Sequence, residues 1–265
     1  MLEQLSGDTR LYFTVGFPIA QVKSPGGITR GFEARGANAV LVPIEVPADS
    51  IEGFFELASG IGNLDGMVVT VPYKFRARAA CATVSARAEL LGAANVLRRN
   101  PDGGWHGDMT DGVGFCNAVR AKDVDLAGRR ALLVGAGGAG SAIGLSLLDG
   151  GVAELAVFDL DTDRRDALVA KLAGRHRNVT AAPHADPAGY ALIANASPAG
   201  MRPGDPLPVD PSGLTPAMHV GDVVTAPAVP PLIVAARAAG CSTNTGTEMY
   251  EAQVDVITDF LLGRA

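Results

Sequence analysis

Residues 131–148 read Ala-Leu-Leu-Val-Gly-Ala-Gly-Gly-Ala-Gly-Ser-Ala-Ile-Gly-Leu-Ser-Leu-Leu. Ala131 to Val134 is a short apolar run with the character of a parallel strand buried on both faces. Gly135 to Gly140 then spells G-x-G-x-x-G, and Ser141 to Leu148 reads as a helix of small and apolar residues. In such a turn the first glycine permits the bend from strand to helix. The second lets backbone approach a pyrophosphate, and the third lets the helix pack on the strand. The free N–H groups at the helix start attract phosphate charge. A second apolar strand, Glu154 to Phe158, ends at the acid Asp159, about 20 residues further on, where a ribose-binding carboxylate is expected. The stretch therefore predicts a Rossmann-like dinucleotide-binding unit, with Gly135, Gly137, Gly138, Ala139, Gly140 and Asp159 as cofactor-binding candidates. A glycine-rich structural turn in another α/β protein is the competing account.

Composition narrows the setting. A chain of 265 residues allows one large domain or two modest ones. Abundant Ala and Gly with 5% aromatics suits closely packed α/β layers. The net charge of −6 and the lack of a basic run argue against nucleic acid and anionic membranes as partners. No apolar run is long enough to span a bilayer, and Met1 to Arg10 lacks a signal-peptide pattern, so a cytoplasmic location is expected. Cys81, Cys116 and Cys241 and the four histidines have no metal-ligand spacing. No metal site is expected, and the cysteines read as small buried or half-buried thiols.

Around this core, strands and helices alternate. Strands are expected at Leu11 to Val15, Ala39 to Ile44 and Gly66 to Val71, and a hairpin joins Val96–Arg99 to Gly104–His106 across Asn100-Pro101-Asp102-Gly103. Helices are expected near Gly27 to Arg35, Ser50 to Ala58, from Lys74 through Cys81, and Val84 to Leu91. After a connecting helix at Asp111 to Ala121, further strands are expected at Thr180 to Ala182, Ala191 to Asn195, His219 to Val224 and Cys241 to Asn244. The intervening helices are Arg164 to Ala173 and Pro231 to Ala239, and Ser197 to Pro216 is a long Pro/Gly-rich loop. A last helix, Thr247 to Leu262, is expected to pack back on the first domain. The fold class predicted is α/β in two domains. Residues 1–107 plus 240–265 form a mainly parallel substrate-binding and catalytic domain, residues 108–239 a Rossmann-like domain, and the default ligand site lies in a cleft between them.

Several motifs in register resemble the shikimate/quinate dehydrogenase family over nearly the whole chain. They are Gly16-x-Pro18-Ile19-Ala20 with Lys23-Ser24-Pro25, Val69-Thr70-Val71-Pro72-Tyr73-Lys74, Gly92-Ala93-Ala94-Asn95 and Gly107-Asp108-Met109-Thr110-Asp111-Gly112. They continue with Asn195-Ala196-Ser197-Pro198-x-Gly200-Met201, Gly246-x-x-Met249 and Gln253. The resemblance implies that Lys74 and Asp111 are the catalytic pair. Oxidising a secondary alcohol needs a base for the hydroxyl proton while hydride leaves for a nicotinamide. A lysine can serve if partial burial brings its pKa toward neutrality. A neighbouring aspartate opposes that fall, and would instead orient the ammonium and bind the substrate hydroxyl. On spacing alone, a surface lysine and a helix N-cap aspartate is the better account; the resemblance reverses the balance. It also implies substrate contacts at Ser24, Thr70, Asn95 and Gln253, and cofactor contacts at Asn195, Ser197, Met201 and Gly246. For Asn95 and Gln253 an ordinary structural polar role explains the residue equally well, and for Met201 core filling is the simpler account.

The chain also departs from the family pattern. Val22 stands where the family commonly has the first serine of Ser-x-Ser-Pro, the pair that holds the substrate carboxylate, and Val68 stands where it has asparagine before Val-Thr-Val-Pro. Each lost polar contact is worth about 1–3 kcal/mol when its partner is left unpaired. The expectation is a divergent member, a shikimate-type oxidoreductase interconverting a shikimate-like hydroxylated ring acid and its 3-dehydro ketone. The alternatives are the same scaffold acting on quinate, an aminoshikimate or another less polar carbocyclic alcohol, with weak shikimate activity, or a non-catalytic nucleotide sensor. Tyr73 replaces a frequent histidine, either lining the pocket or packing. Asp159-Leu160-Asp161 stands where NADP-using members carry an Asn-Arg-Thr-like turn, so NAD is expected as the preferred cofactor and NADP as the weaker one. The expected partner is a small polyhydroxylated molecule, and the chain is expected to act as a monomer or homodimer.

Overall fold

The computed structural model describes residues 5–264, so the first four residues of the stretch read for a leader lie outside it. The chain divides into two units, one running to Thr110 and resuming at Val254, the other Asp111–Gln253.

The first unit is built on a six-stranded sheet. Its strands are β1 (Arg10–Gly16), β2 (Ala39–Glu45), β3 (Leu64–Val69), β4 (Thr83–Val84), β5 (Val96–Arg99) and β6 (Trp105–Asp108), in the order β2-β1-β3-β5-β6-β4. β1 is parallel to β2 and β3, whereas β5 runs antiparallel to both β3 and β6. The helices are α1 (Ser24–Ala34), α2 (Ile51–Ser59), α3 (Lys74–Ala79) and α4 (Ala86–Leu91). Alternation along the strands sorts the core into two layers. Val15, Met67, Val69 and Leu97 join Phe55, Tyr73 and Trp105 on one face. Tyr12, Leu41, Val68 and Val96 join Ile28 and Phe32 of α1 and Ile257, Phe260 and Leu261 on the other. Fully burying a side chain such as Phe32 stabilises the unit by about 1.5–3 kcal/mol. Pro25 opens α1 at a position where its missing N–H costs nothing, and Ser85 caps α4 by accepting the Ala88 N–H.

The second unit is an all-parallel sheet of β7 (Arg130–Val134), β8 (Glu154–Phe158), β9 (Val179–Ala181), β10 (Leu192–Asn195), β11 (His219–Asp222) and β12 (Ser242–Asn244). Its order, β12-β11-β10-β7-β8-β9, reverses between β7 and β10. That is the doubly wound order whose ligand crevice lies outside the strand C-termini at the reversal. Helices α5 (Asp111–Arg120), α6 (Gly138–Asp149), α7 (Thr162–Ala173), α8 (Pro231–Ala238) and α9 (Gly246–Glu251) complete it. α8 covers one face through Leu232, Ile233 and Ala236.

Several expectations need correction. Both domain boundaries move toward the C-terminus. Asn95 hydrogen-bonds Thr110, which keeps the chain in the first unit to that residue. β12 pairs with β11, so residues 240–253 stay with the second unit. The single last helix is two helices, α9 and α10 (Val254–Leu261). α9 starts from a Thr245–Glu248 capping box and packs on α5, whereas Ile257, Phe260 and Leu261 of α10 pack in the first unit's core. The two halves serve different cores and break at residues 252–253. Val84, expected to begin a helix, instead joins Thr83 in a short strand that pairs with β6.

Candidate active site and dinucleotide cradle

In the first unit, four expected residues gather where β1 and β3 end. Gly16 closes β1, and a Cβ there would lie 2.5 Å from the Thr70 methyl, so the bare backbone lets Thr70 pack close. The Thr70 N–H donates to Val15 O at 2.9 Å, and the Tyr73 N–H donates to Thr70 O at 3.0 Å, which turns the chain into α3. Lys74 is the first residue of α3 and is half-buried. Its carbonyl accepts the Ala94 N–H at 2.9 Å, while Asn95 O accepts the Val69 N–H at 2.7 Å. The Gly92–Asn95 loop is thereby fastened to the Thr70–Lys74 turn. Asn95 is buried, and its Oδ1 accepts from the Thr110 N–H at 2.7 Å. Ser24 is buried beside Thr14, their hydroxyls 2.9 Å apart.

Asp108 anchors the segment leading to Thr110. Burial pushes its carboxyl up, but bonds from Arg87, Ser85 and the Met109 N–H outweigh that and hold it below the usual carboxylate range. Tyr73 has a packing role: its ring is buried in the core and its hydroxyl donates to Val46 O at 2.6 Å. Val22 is half-exposed, and Val68 is packed among Tyr12, Ile28 and Phe32.

In the second unit, Asp111 is the first residue of α5 and Gln253 the last residue of the unit. A Cβ on Gly114 would lie 2.7 Å from the Gln253 Cβ. Gly114 is three residues along α5 from Asp111 and lies on the same side of the helix. Gln253 Oε1 is buried without a hydrogen-bond partner.

The glycine turn fits a dinucleotide. Gly135 has φ +103°, which favours glycine, and a Cβ on it would lie 2.8 Å from the Ala196 carbonyl carbon. A Cβ on Gly140 would lie 1.9 Å from Gly135 O, so helix and turn touch backbone to backbone. Around a Cβ on Gly137 there is open space, the room that lets a pyrophosphate reach the backbone. Gly138 and Ala139 begin α6 and are partly exposed, with their N–H groups at the helix N-terminus. At the end of β8, Asp159 Oδ2 accepts the Ala136 N–H at 2.7 Å and Oδ1 accepts the Asp161 N–H at 2.9 Å. Asp161 caps α7 and pairs with Arg164 at 2.9 Å, and Arg164 also lies 3.7 Å from Asp159.

Two of the residues expected to contact a cofactor are engaged within the protein. Asn195 is fully buried and its amide is spent within the protein. A Cβ on Gly246 would lie 2.4 Å from Val223 O, so this glycine admits close packing of α9 against the segment after β11. Ser197 is half-buried and Met201 is 43% exposed. Thr14 and Asp222 were not anticipated. Each is a buried polar side chain among apolar strand neighbours, which is the signal that marks them.

The shikimate dehydrogenase substrate binding domain model matches residues 14–97. The chain is 35% identical over 251 residues to a shikimate dehydrogenase (NADP(+)) of Rubrobacter xylanophilus, covering 93% of this chain and 88% of that protein. A protein of the same name from Rhodospirillum rubrum is 34% identical, covering 92% and 89%. Among solved structures, quinate dehydrogenase from Corynebacterium glutamicum in complex with NAD has a TM-score of 0.84 at 29% identity, covering 96% of this chain and 94% of that one. With this similarity along almost its entire length, the chain belongs to the shikimate dehydrogenase family.

Proposed function

We propose that this protein is an NAD(P)-dependent oxidoreductase that interconverts a shikimate-like hydroxylated ring acid and its 3-dehydro ketone in the cytoplasm. The convergence of Ser24, Thr70, Lys74 and Asn95 on one edge of the first unit carries this proposal. Ser24 and Thr70 offer neutral hydroxyls suited to a polyol ring, and Asn95 is rigidly held by Thr110. The Lys74 Nζ takes the hydroxyl proton during oxidation and returns it during reduction. Asp111 is the second catalytic residue in this reading and orients the reacting hydroxyl, and Gln253 Oε1 accepts from a further ring hydroxyl. The nicotinamide dinucleotide, when bound, supplies the hydride acceptor or donor. The Gly135–Gly140 backbone would hold its pyrophosphate, and Ser197 and Met201 would flank its other half.

NAD is the preferred cofactor in this reading. Asp159 and Asp161 together carry two negative charges against the single positive charge of Arg164, and a 2′-phosphate would meet that excess. A titration with both cofactors tests this, and equal or tighter binding of NADP refutes it.

Val22 favours a second reading, a less polar carbocyclic alcohol with shikimate as a weak substrate. It removes a second serine hydroxyl from the segment leading into α1. Thr14 supplies a hydroxyl against Ser24, but as a buried partner. Reduced-cofactor absorbance against a panel of shikimate, quinate, aminoshikimate and uncharged polyols separates the readings. Turnover of none of them leaves the nucleotide-sensor alternative.

A further inference from the structure

We propose that Asp222 is a positioning residue that sets the hydrogen-bond polarity of the Asn195–Ser197 loop, and through it the nicotinamide half of the cradle. Asp222 ends β11 beside Asn195, the last residue of β10, and both are fully buried. Asp222 Oδ1 accepts the Val224 N–H at 2.9 Å, and Oδ2 accepts from Asn195 Nδ2 at 3.1 Å. An ionised carboxylate only accepts, so it forces the nitrogen of the Asn195 amide to face it. The amide oxygen must then face the loop. There Asn195 Oδ1 accepts from the Ser197 hydroxyl at 2.7 Å and from the Ser197 N–H at 3.1 Å. The Ser197 Oγ in turn accepts the Ala199 N–H at 3.3 Å. One acid thus fixes the direction of every bond in the chain from Val224 to Ala199.

That loop is part of the cradle. The Ala196 and Ser197 backbone lies against Gly135, each 2.8 Å from where a Cβ on that glycine would stand. Asp159 lies on the β8 side of the strand reversal, and Asn195 and Asp222 lie on the β10–β11 side. A dinucleotide lying across the reversal with its adenosine ribose at Asp159 places its other half over β10 and β11. Asp222 therefore acts on nicotinamide placement without touching the cofactor. The inference rests on dinucleotide binding by this unit, which ADP-ribose, a probe lacking the nicotinamide, reports separately.

Asp222→Asn keeps the shape but offers one acceptor to two donors, Val224 N–H and Asn195 Nδ2. Either one bond is lost or Asn195 turns over and sets its nitrogen against the Ser197 N–H. Exchanging the pair, D222N with N195D, restores the pattern. The amide now at position 222 would accept from the Val224 N–H and donate to the carboxylate now at position 195, which would accept both Ser197 donors. Calorimetric titration of wild type, D222N and the exchanged double variant, with NAD and with ADP-ribose, tests this. We expect D222N to weaken NAD about 5- to 20-fold and ADP-ribose less than about 2-fold, and the exchange to recover NAD affinity to within about 3-fold. D222N should melt no lower than wild type, because it removes a buried charge. Equal losses for NAD and ADP-ribose, no loss for either, or an exchanged variant no better than D222N overturns the proposal. If D222N fails to fold, the exchanged variant alone decides: folding with near-normal NAD affinity supports it, and loss of NAD affinity with ADP-ribose retained overturns it. Failure of wild type to bind ADP-ribose removes the dinucleotide reading itself.

Discussion

Ionised Asp222 should destabilise the folded second unit at neutral pH. Burial pushes its carboxyl from 3.8 up to about 6, against the opposing bonds from the Val224 N–H and the Asn195 amide. Between those values the folded state binds more protons than the unfolded one, so stability falls as pH rises. The contribution is fully present below the unfolded value and lost once pH passes the folded one. At about 1.4 kcal/mol for each tenfold change, the ionised side chain costs about 3 kcal/mol near neutral pH and about 1 kcal/mol near pH 4.5. Asp222→Asn removes the titration and, like the protonated acid, offers one acceptor to the two donors, so it stands in for the neutral form at both pH values. The variant should therefore exceed wild type by about 3 kcal/mol near neutrality and about 1 kcal/mol near pH 4.5. Denaturant unfolding followed by circular dichroism, with exchange of the β11 amides to report the second unit, measures the difference. A wild-type-to-variant gap that stays constant between the two pH values would show that the acid does not carry this burial cost.

Other substitutions probe the remaining parts. Lys74→Ala should lower kcat by about 100-fold or more with an unchanged melting temperature, and near-normal turnover on a verified substrate rules it out as the base. Gly140→Ala, which drives a methyl to 1.9 Å from Gly135 O, should abolish measurable NAD binding in titration; retained affinity contradicts the backbone contact. Asp161→Ser keeps an N-cap on α7 while releasing Arg164, and should shift the NADP-to-NAD affinity ratio toward NADP about 3- to 10-fold. Arg99→Met should cost about 2–4 kcal/mol in urea unfolding. Its guanidinium lies 4.1 Å over Trp105 and donates to the carbonyls of Ala58, Ser59, Ile61, Leu64 and Gly103, all of which would lose a donor. An unchanged denaturation midpoint counts against that role.

Features with local causes were legible in the sequence. Ala131–Leu148 declares itself because a short apolar run leads straight into the glycine turn and Gly140 answers a backbone contact with Gly135 five residues away, although the Gly135 contact with Ala196 is distant in sequence. Lys74 and Asn95 were found through motifs, and the structure adds the Ala94-to-Lys74 bond that fastens their loops together. What escaped depends on partners distant in sequence. Thr83–Val84 is a strand because β6 lies beside it, and no two-residue segment carries that information itself. The break after α9 is set by which core each half enters, whereas the apolar pattern of residues 247–262 runs on as if one helix would do.

Asp222 is the more instructive omission, because its strand was recognised and its chemistry was not. The expected strand, His219 to Val224, encloses Asp222, whereas the strand ends at Asp222, and no sequence motif singles the acid out. A carboxylate at the end of a parallel strand buried on both faces has no water to turn to, so it must hold fixed donors. In this fold the strand ends border the ligand crevice, and a donor held there is held next to bound substrate or cofactor. The same logic separates Asp222 from Asp159. Each ends a strand and each accepts backbone N–H bonds, but Asp159 also lies beside the Gly135–Gly140 turn and accepts from Ala136 within it. Asp222 reaches the turn only through Asn195 and the Ala196–Ser197 backbone. In the proposed reading, Asp159 would meet a ribose and Asp222 would hold the loop at the far end of the same ligand. A strand-terminal acid in a doubly wound sheet is thus assigned by which side of the strand reversal it occupies and by what its donors are attached to.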